Sequence, residues 1–200
     1  MLRAAAVVKS GCGVMRILGL SGSLRRDSYN TRLLHYAAAL LGPDELVVFD
    51  GLRDLPPYDQ DDDVAAAPAS VARLRAAVGE ADALLVATPE YNGSLPGVLK
   101  NALDWASRPR GSAALLGKPA GVIGASPGSF GAVWAQADAR KVLATAGARV
   151  SDIEVAVPQA AQRLPQDGVL LDRDNRGSLA RLLDDLRTAH AHSQLTRRIS

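Results

Sequence analysis

Ser21, Ser23, Arg25 and Ser28 fall within one short stretch, RILGLSGSLRRDSYNT (Arg16 to Thr31). With the backbone amides around Gly22 they gather hydroxyls, free N–H groups and a guanidinium where an apolar run gives way to helical spacing. A helix start carries partial positive charge and unpaired amides, so this set of groups suits a phosphate. The loop has neither GxxxxGK[ST] nor GxGxxG, and no Lys is placed to reach a γ-phosphate. It reads as a site for a single terminal phosphate. The competing reading is an ordinary strand-to-helix connection in which Ser and Asn serve only as caps.

The flanking elements follow from periodicity. Ile17, Leu18 and Leu20 make a run too short for a helix and apolar enough for a strand buried on both faces. Ser28 stands at an N-cap position, and Asn30, Leu33, Leu34, Ala37 and Leu41 recur at the spacing of one helix face. Leu46 to Phe49 forms a second strand, after which Asp50 to Asp63 is a loop. Val71, Leu74, Ala77 and Val78 mark a helix ending at Gly79. Ala83 to Ala87 is a strongly apolar third strand, left through Thr88 to Gly93 (TPEYNG). Ser94 is expected to cap the next helix, with Pro96 in its first turn and Val98, Leu99, Ala102, Leu103 and Ala106 as its buried stripe. Ala120 to Ala125 is a fourth strand ending in Ser126, Pro127, Gly128 and Ser129. Ala132 to Ala146 reads as helix, Val150 to Val157 as a fifth strand, and Leu179, Leu182, Leu183 and Leu186 as a last amphipathic helix.

Five strands alternating with helices predict an α/β fold, a doubly wound five-stranded parallel sheet with helices on both faces. In such sheets ligands gather beyond the C-terminal ends of the strands, beside the switch in strand order. The loops after the first, third and fourth strands should therefore converge.

At 200 residues, 48% hydrophobic and 22% charged, the chain fits one domain over 15–200. Residues 1–14 read as a disordered extension upstream of a natural start at Met15, because the apolar part is too short for a signal-peptide core. A net charge of +2 without a basic stripe excludes a nucleic-acid surface, and no apolar run approaches a membrane span. A cytoplasmic protein is expected. Cys12 is the only cysteine, and His35, His190 and His192 have no metal-site spacing, so no metal is expected. Asp59, Asp61, Asp62 and Asp63 are most simply a solvated face.

Two segments, GLSGSLRRDSYNTRLL and ATPEYNGSLPGVLKNALDWASRP, resemble the paired signatures of the NADPH-dependent FMN reductase family. The resemblance covers roughly Arg16 to Val150. It implies a flavodoxin-like fold, an FMN cofactor with NADPH or NADH as reductant, and a two-electron reduction of a quinone, a flavin or a similar small acceptor. It also implies a homodimer or homotetramer. Carried across by position, Ser23, Leu24, Arg25, Ser28 and Asn30 become the phosphate loop, with Ser21 and Thr31 at its margin. Pro89, Glu90, Tyr91, Asn92 and Gly93 would line the ribityl chain and the flavin ring, and Ser126, Pro127 and Gly128 the third loop. The flavin carries the chemistry, so no catalytic acid, base or nucleophile is expected.

PEYNG can also be read as a plain Gly-containing turn. Asn101 and Asp104 read as the polar face of their helix, Trp105 as its packing anchor, and Trp134 as a core or subunit-contact residue. Leu103 and Trp105, with the Arg108 to Arg110 connector, alternatively supply the contact to a second subunit. The stretch after Gly131 departs from the family's glycine-rich pattern. The rival function is an FMN-binding electron carrier or redox-sensing protein acting on a protein partner; Arg25 and the positive net charge speak against it.

Overall fold

A computed structural model describes residues 13–63, 67–165 and 173–199. Apart from Gly13 and Val14, the expected N-terminal extension lies outside the described residues. The elements in chain order are β1 (Arg16–Ser21), α1 (Tyr29–Leu40), β2 (Glu45–Val48), α2 (Ala69–Glu80), β3 (Ala83–Thr88), α3 (Gly97–Ala106), β4 (Pro119–Ala125), α4 (Val133–Thr145), β5 (Arg149–Val150), β6 (Val155–Val157), α5 (Ala160–Arg163) and α6 (Arg173–Ile199). The strands form one parallel sheet in the order β2-β1-β3-β4-β5, with β6 also pairing β4.

The centre of the sheet is buried on both faces, as the unbroken apolar runs of β3 and β4 require, while the edge strand β2 is partly exposed. Residues of alternate sense divide between two cores. Leu18, Leu20, Leu84, Val86 and Val122 pack with α2, α3 and α4. Ile17, Leu85, Ile123, Val155 and Val157 pack with α1 and α6. Strand order reverses between β1 and β3, so the C-terminal ends of these two strands flank the crevice where such folds take ligands.

The expected fifth strand, Val150 to Val157, is divided. Ser151 N still donates to Ala120 O at 2.8 Å, but the next position along β4 is taken by a side chain. Arg140 Nη2 donates to Val122 O at 3.3 Å and to Ile153 O at 3.2 Å. The guanidinium fills the ladder position that a backbone N–H of residues 151–154 would otherwise occupy. Pairing resumes at Val155. Burial pushes Arg140 below its ordinary pKa, opposed by the charges of Glu154 and Asp152.

Helix α3 starts later than expected. Pro96 is the N-cap and Gly97 the first helical residue, because Ser94 is held in the preceding turn by backbone bonds to Tyr91. Helix α2 runs one residue beyond Gly79.

Candidate active site

Strand β1 ends at Ser21, whose buried hydroxyl meets that of Thr31 at 2.7 Å. Gly22 N donates to Ala87 O at 2.8 Å, continuing the β1–β3 ladder one step into the loop. A methyl group on Gly22 would lie 3.0 Å from Leu99 and 3.2 Å from Pro89, so the first and second loops pack against each other at this point. Ser28 is the N-cap of α1, its hydroxyl accepting from Thr31 N at 3.2 Å. The first-turn amides of Tyr29 and Asn30 have no acceptor among the described residues, which leaves them for a ligand.

Cationic groups surround this helix start. The Arg25 guanidinium lies 4.9 Å from the centre of the Tyr29 ring and donates to Asp27 O at 2.6 Å, while Arg32 lies 5.3 Å from the same ring. Arg53, from the turn after β2, donates to Leu24 O at 3.0 Å. Ser23 Oγ faces Arg25 N at 3.4 Å. The donor set of hydroxyl, free amides and guanidinium fits a phosphate monoester, whose charge of nearly two at neutral pH is favoured by the helix dipole.

The Asn30 side chain is tied to the scaffold. Its Nδ2 donates to Ala125 O and its Oδ1 accepts from Ala125 N, both at 3.0 Å. One N–H and the carbonyl oxygen of this buried amide are thus used on one residue of β4. The side chain pins α1 to the strand that carries the third loop.

The second loop is a tight reversal. Asn92 and Gly93 have φ of 54° and 76°, and Tyr91 and Ser94 exchange backbone bonds of 3.0 and 3.2 Å. Positive φ at both central residues defines a type I′ turn, for which Asn-Gly is the preferred pair. Tyr91 is 54% exposed at its edge. The Glu90 side chain, expected along the ribityl chain or ring, turns to α4: Oε2 accepts from Trp134 N at 3.2 Å and Ala135 N at 3.3 Å. Ala132 at the N-cap offers no capping oxygen, so a carboxylate from another loop satisfies the helix start and its dipole. Ser94 Oγ donates to Asp138 one turn further on, at 2.6 Å. The second loop is thus fastened to α4 at two points.

The third loop leaves β4 at Ser126, whose N–H donates to Val157 O at 3.1 Å and whose carbonyl accepts from Ala160 N at 3.0 Å. Gly128 O accepts from Gln159 N at 2.9 Å, and Pro127 and Gly128 stay exposed. Gly131, at φ 61°, sits so close to the end of β6 that a Cβ would lie 2.6 Å from Val157 N. Three loops and a helix start whose first-turn amides have no acceptor among the described residues therefore meet at one edge of the sheet. Sequence reasoning missed the Glu90 clamp, the Asn30 clamp and the approach of Arg53. Of these, only the Asn-Gly pair beside Glu90 offered a local signal.

A parallel sheet with this strand order, covered by helices on both faces, defines the flavodoxin-like class. The family model described as NADPH-dependent FMN reductase matches residues 15–162, and the chain belongs to that family. A 2-hydroxy-1,4-benzoquinone reductase from Burkholderia sp is 39% identical over 171 residues, spanning 85% of this chain and 93% of that protein. An NAD(P)H-dependent FMN reductase from Pseudomonas aeruginosa is 40% identical over 173 residues, 86% of this chain and 93% of that one. Among solved structures, the FerB flavoenzyme NAD(P)H:(acceptor) oxidoreductase of Paracoccus denitrificans superposes with a TM-score of 0.80 at 38% identity, covering 90% of this chain and 98% of its own.

Proposed function

We propose that residues 15–200 form one domain that binds FMN at this edge and passes a hydride from NAD(P)H to a quinone, a free flavin or a similar small acceptor. The observation that carries the reading is the convergence of the three loops on a helix start with unpaired amides. Ser23, Arg25 and the Tyr29 and Asn30 amides hold the phosphate, with Ser21, Thr31 and Ser28 fixing the loop behind them. Backbone of Pro89 to Gly93 and of Ser126 to Gly128 lies along the flavin, and Glu90 and Asn30 hold these loops in place. Bound flavin supplies the two-electron chemistry. The net reaction is NAD(P)H plus a proton plus quinone, giving NAD(P)+ and hydroquinone, and no side chain need act as acid, base or nucleophile.

A carrier exchanging single electrons with a protein partner is the poorer reading, since Arg25, Arg32 and Arg53 crowd the helix start with positive charge. Because NAD(P)H is the reductant, the cytoplasm is the corresponding location. The protein reconstituted with FMN is expected to show the visible bands of oxidised flavin and to oxidise NAD(P)H when an electron acceptor such as a quinone or a flavin is present. A protein that takes up no FMN, or holds it without oxidising NAD(P)H, would overturn the reading.

We also propose a homodimer or a dimer of dimers built on the face shared by α3 and α4. A groove of about 760 Å³ runs between these helices, lined by Leu95, Leu116 and Val142 and by the charges of Lys100, Asp104 and Lys141. A two-fold axis can pair such opposite charges across two copies of the same face. Trp105, expected at this contact, has none of its surface exposed and contributes nothing to it. Leu116→Glu is expected to shift the protein to monomer in sedimentation velocity while its flavin content stays unchanged. A wild type that is monomeric at micromolar concentration would discard the assembly.

A further inference from the structure

The chain has two Trp, four Tyr and two Phe, and the exposed ones are Tyr91, Phe130 and Trp134. Tyr91 and Phe130 stand on the loops that follow β3 and β4 and Trp134 in the first turn of α4, at the rim of the candidate site. Single exposed apolar residues are ordinary; three aromatics gathered at one edge, in a chain poor in aromatics, are not.

Their backbone is held in place. Gly131 and Ala132 both adopt positive φ, 61° and 63°, which turns the chain sharply between Phe130 and the start of α4. Gly131 is locked against the end of β6. Trp134 N–H is one of the two amides bound by Glu90, and Ser94 and Asp138 make a second tie from the same loop. The Phe130 and Trp134 rings meet edge to face, with centroids 5.0 Å apart and planes at 64°. They remain 61% and 52% exposed, so each keeps open ring surface. An edge-to-face pair of this kind presents a ready surface on which a flat, electron-poor ring can stack.

We infer that Phe130 and Trp134 form a platform at the site's rim that selects planar aromatic acceptors over compact inorganic ones, a specificity role resting on the flavin-reductase reading above. A quinone gains stacking area on Trp134 that ferricyanide, an octahedral anion, cannot use. The two acceptors also differ in electron count. One quinone takes two electrons with two protons, whereas two ferricyanide ions take one electron each and the oxidation of NAD(P)H releases a proton.

The test uses 2-methyl-1,4-naphthoquinone and ferricyanide as alternative acceptors for the FMN-loaded protein. Trp134→Ala is expected to lower the ratio of kcat/KM for quinone to that for ferricyanide by roughly tenfold, Phe130→Ala by about threefold, and Trp134→Phe by less than either. A second readout needs no turnover: without NAD(P)H, the quinone should bind Trp134→Ala about tenfold more weakly than wild type in a calorimetric titration. An unchanged acceptor ratio, or equal quinone affinity in both proteins, would overturn the platform. So would a Trp134→Ala protein that falls to monomer in sedimentation, because the ring would then be a subunit contact. Failure of the flavin reading shows itself separately, as wild-type protein without FMN or without NAD(P)H oxidation.

Discussion

Trp105→Ala is expected to cost about 3–5 kcal/mol of folding stability, the range for removing a fully buried large aromatic side chain. Trp105 has no exposed surface. Its indole N–H donates to Pro56 O at 2.9 Å, and Tyr58 meets its ring edge-on at 4.8 Å. The Arg75 guanidinium lies 5.6 Å from the ring centre and donates to Trp105 O at 3.1 Å. Asn101, one turn earlier, also donates to Pro56 O and accepts from Tyr58 N, at 2.8 and 2.7 Å. The indole thus fastens the long crossing between β2 and α2 to α3, and its loss leaves a cavity under that segment. Trp105→Phe keeps most of the volume and gives up one hydrogen bond, for a loss of about 1 kcal/mol. Urea unfolding of the two variants and the wild type checks the order. A Trp105→Ala protein with an unchanged midpoint and a smaller assembly would restore the subunit-contact role.

Arg25→Ala is expected to weaken FMN binding by about 1.5 kcal/mol, roughly tenfold, at the low end for a charge-assisted hydrogen bond because the guanidinium is exposed. In the structure this side chain folds over Tyr29 at the start of α1. It has further N–H groups with which to reach a phosphate there. Tyr91→Ala should change FMN affinity less, since the ring stands at the edge of its turn. Riboflavin, which has no phosphate, should bind wild type and Arg25→Ala equally. The sign of the pH effect follows from the phosphate, whose second pKa is about 6. Above that value the ligand carries nearly two charges and the Arg25 contribution is complete; as pH falls through it, the gap between wild type and variant narrows. Added salt narrows it as well. Quenching of FMN fluorescence at pH 8 and pH 5, with and without salt, reads all of these. Equal FMN affinity in wild type and Arg25→Ala at pH 8 would place the phosphate elsewhere.

Local pattern alone determined a good deal about this protein. Continuous apolar runs required strands buried on both faces, and helical spacing between them required a parallel doubly wound sheet. Ser28 as the α1 N-cap followed from its position before the first helical stripe. The two signature segments were enough to name the family, because their residues are contiguous in sequence. What the tertiary structure decided depends on groups far apart along the chain. Asn30 and Ala125 are separated by 95 residues, Glu90 and Trp134 by 44, and no local pattern shows that a side chain from one loop will satisfy another element's backbone. Both residues read as ligand-binding groups, and a polar residue in a ligand-binding loop has the same appearance in sequence whether it faces the ligand or supports the loop behind it. The break between β5 and β6 has the same origin: residues 150–157 read as one strand until Arg140, from a neighbouring helix, takes the carbonyl that would have continued the ladder. Trp105 is the packing anchor that one reading of its helix expected and not the subunit contact of the other, while Trp134, read as a core or subunit-contact residue, stands exposed at a rim. Periodicity places a residue on one face of its helix, but only packing decides whether that face is covered by the same chain or left at a rim.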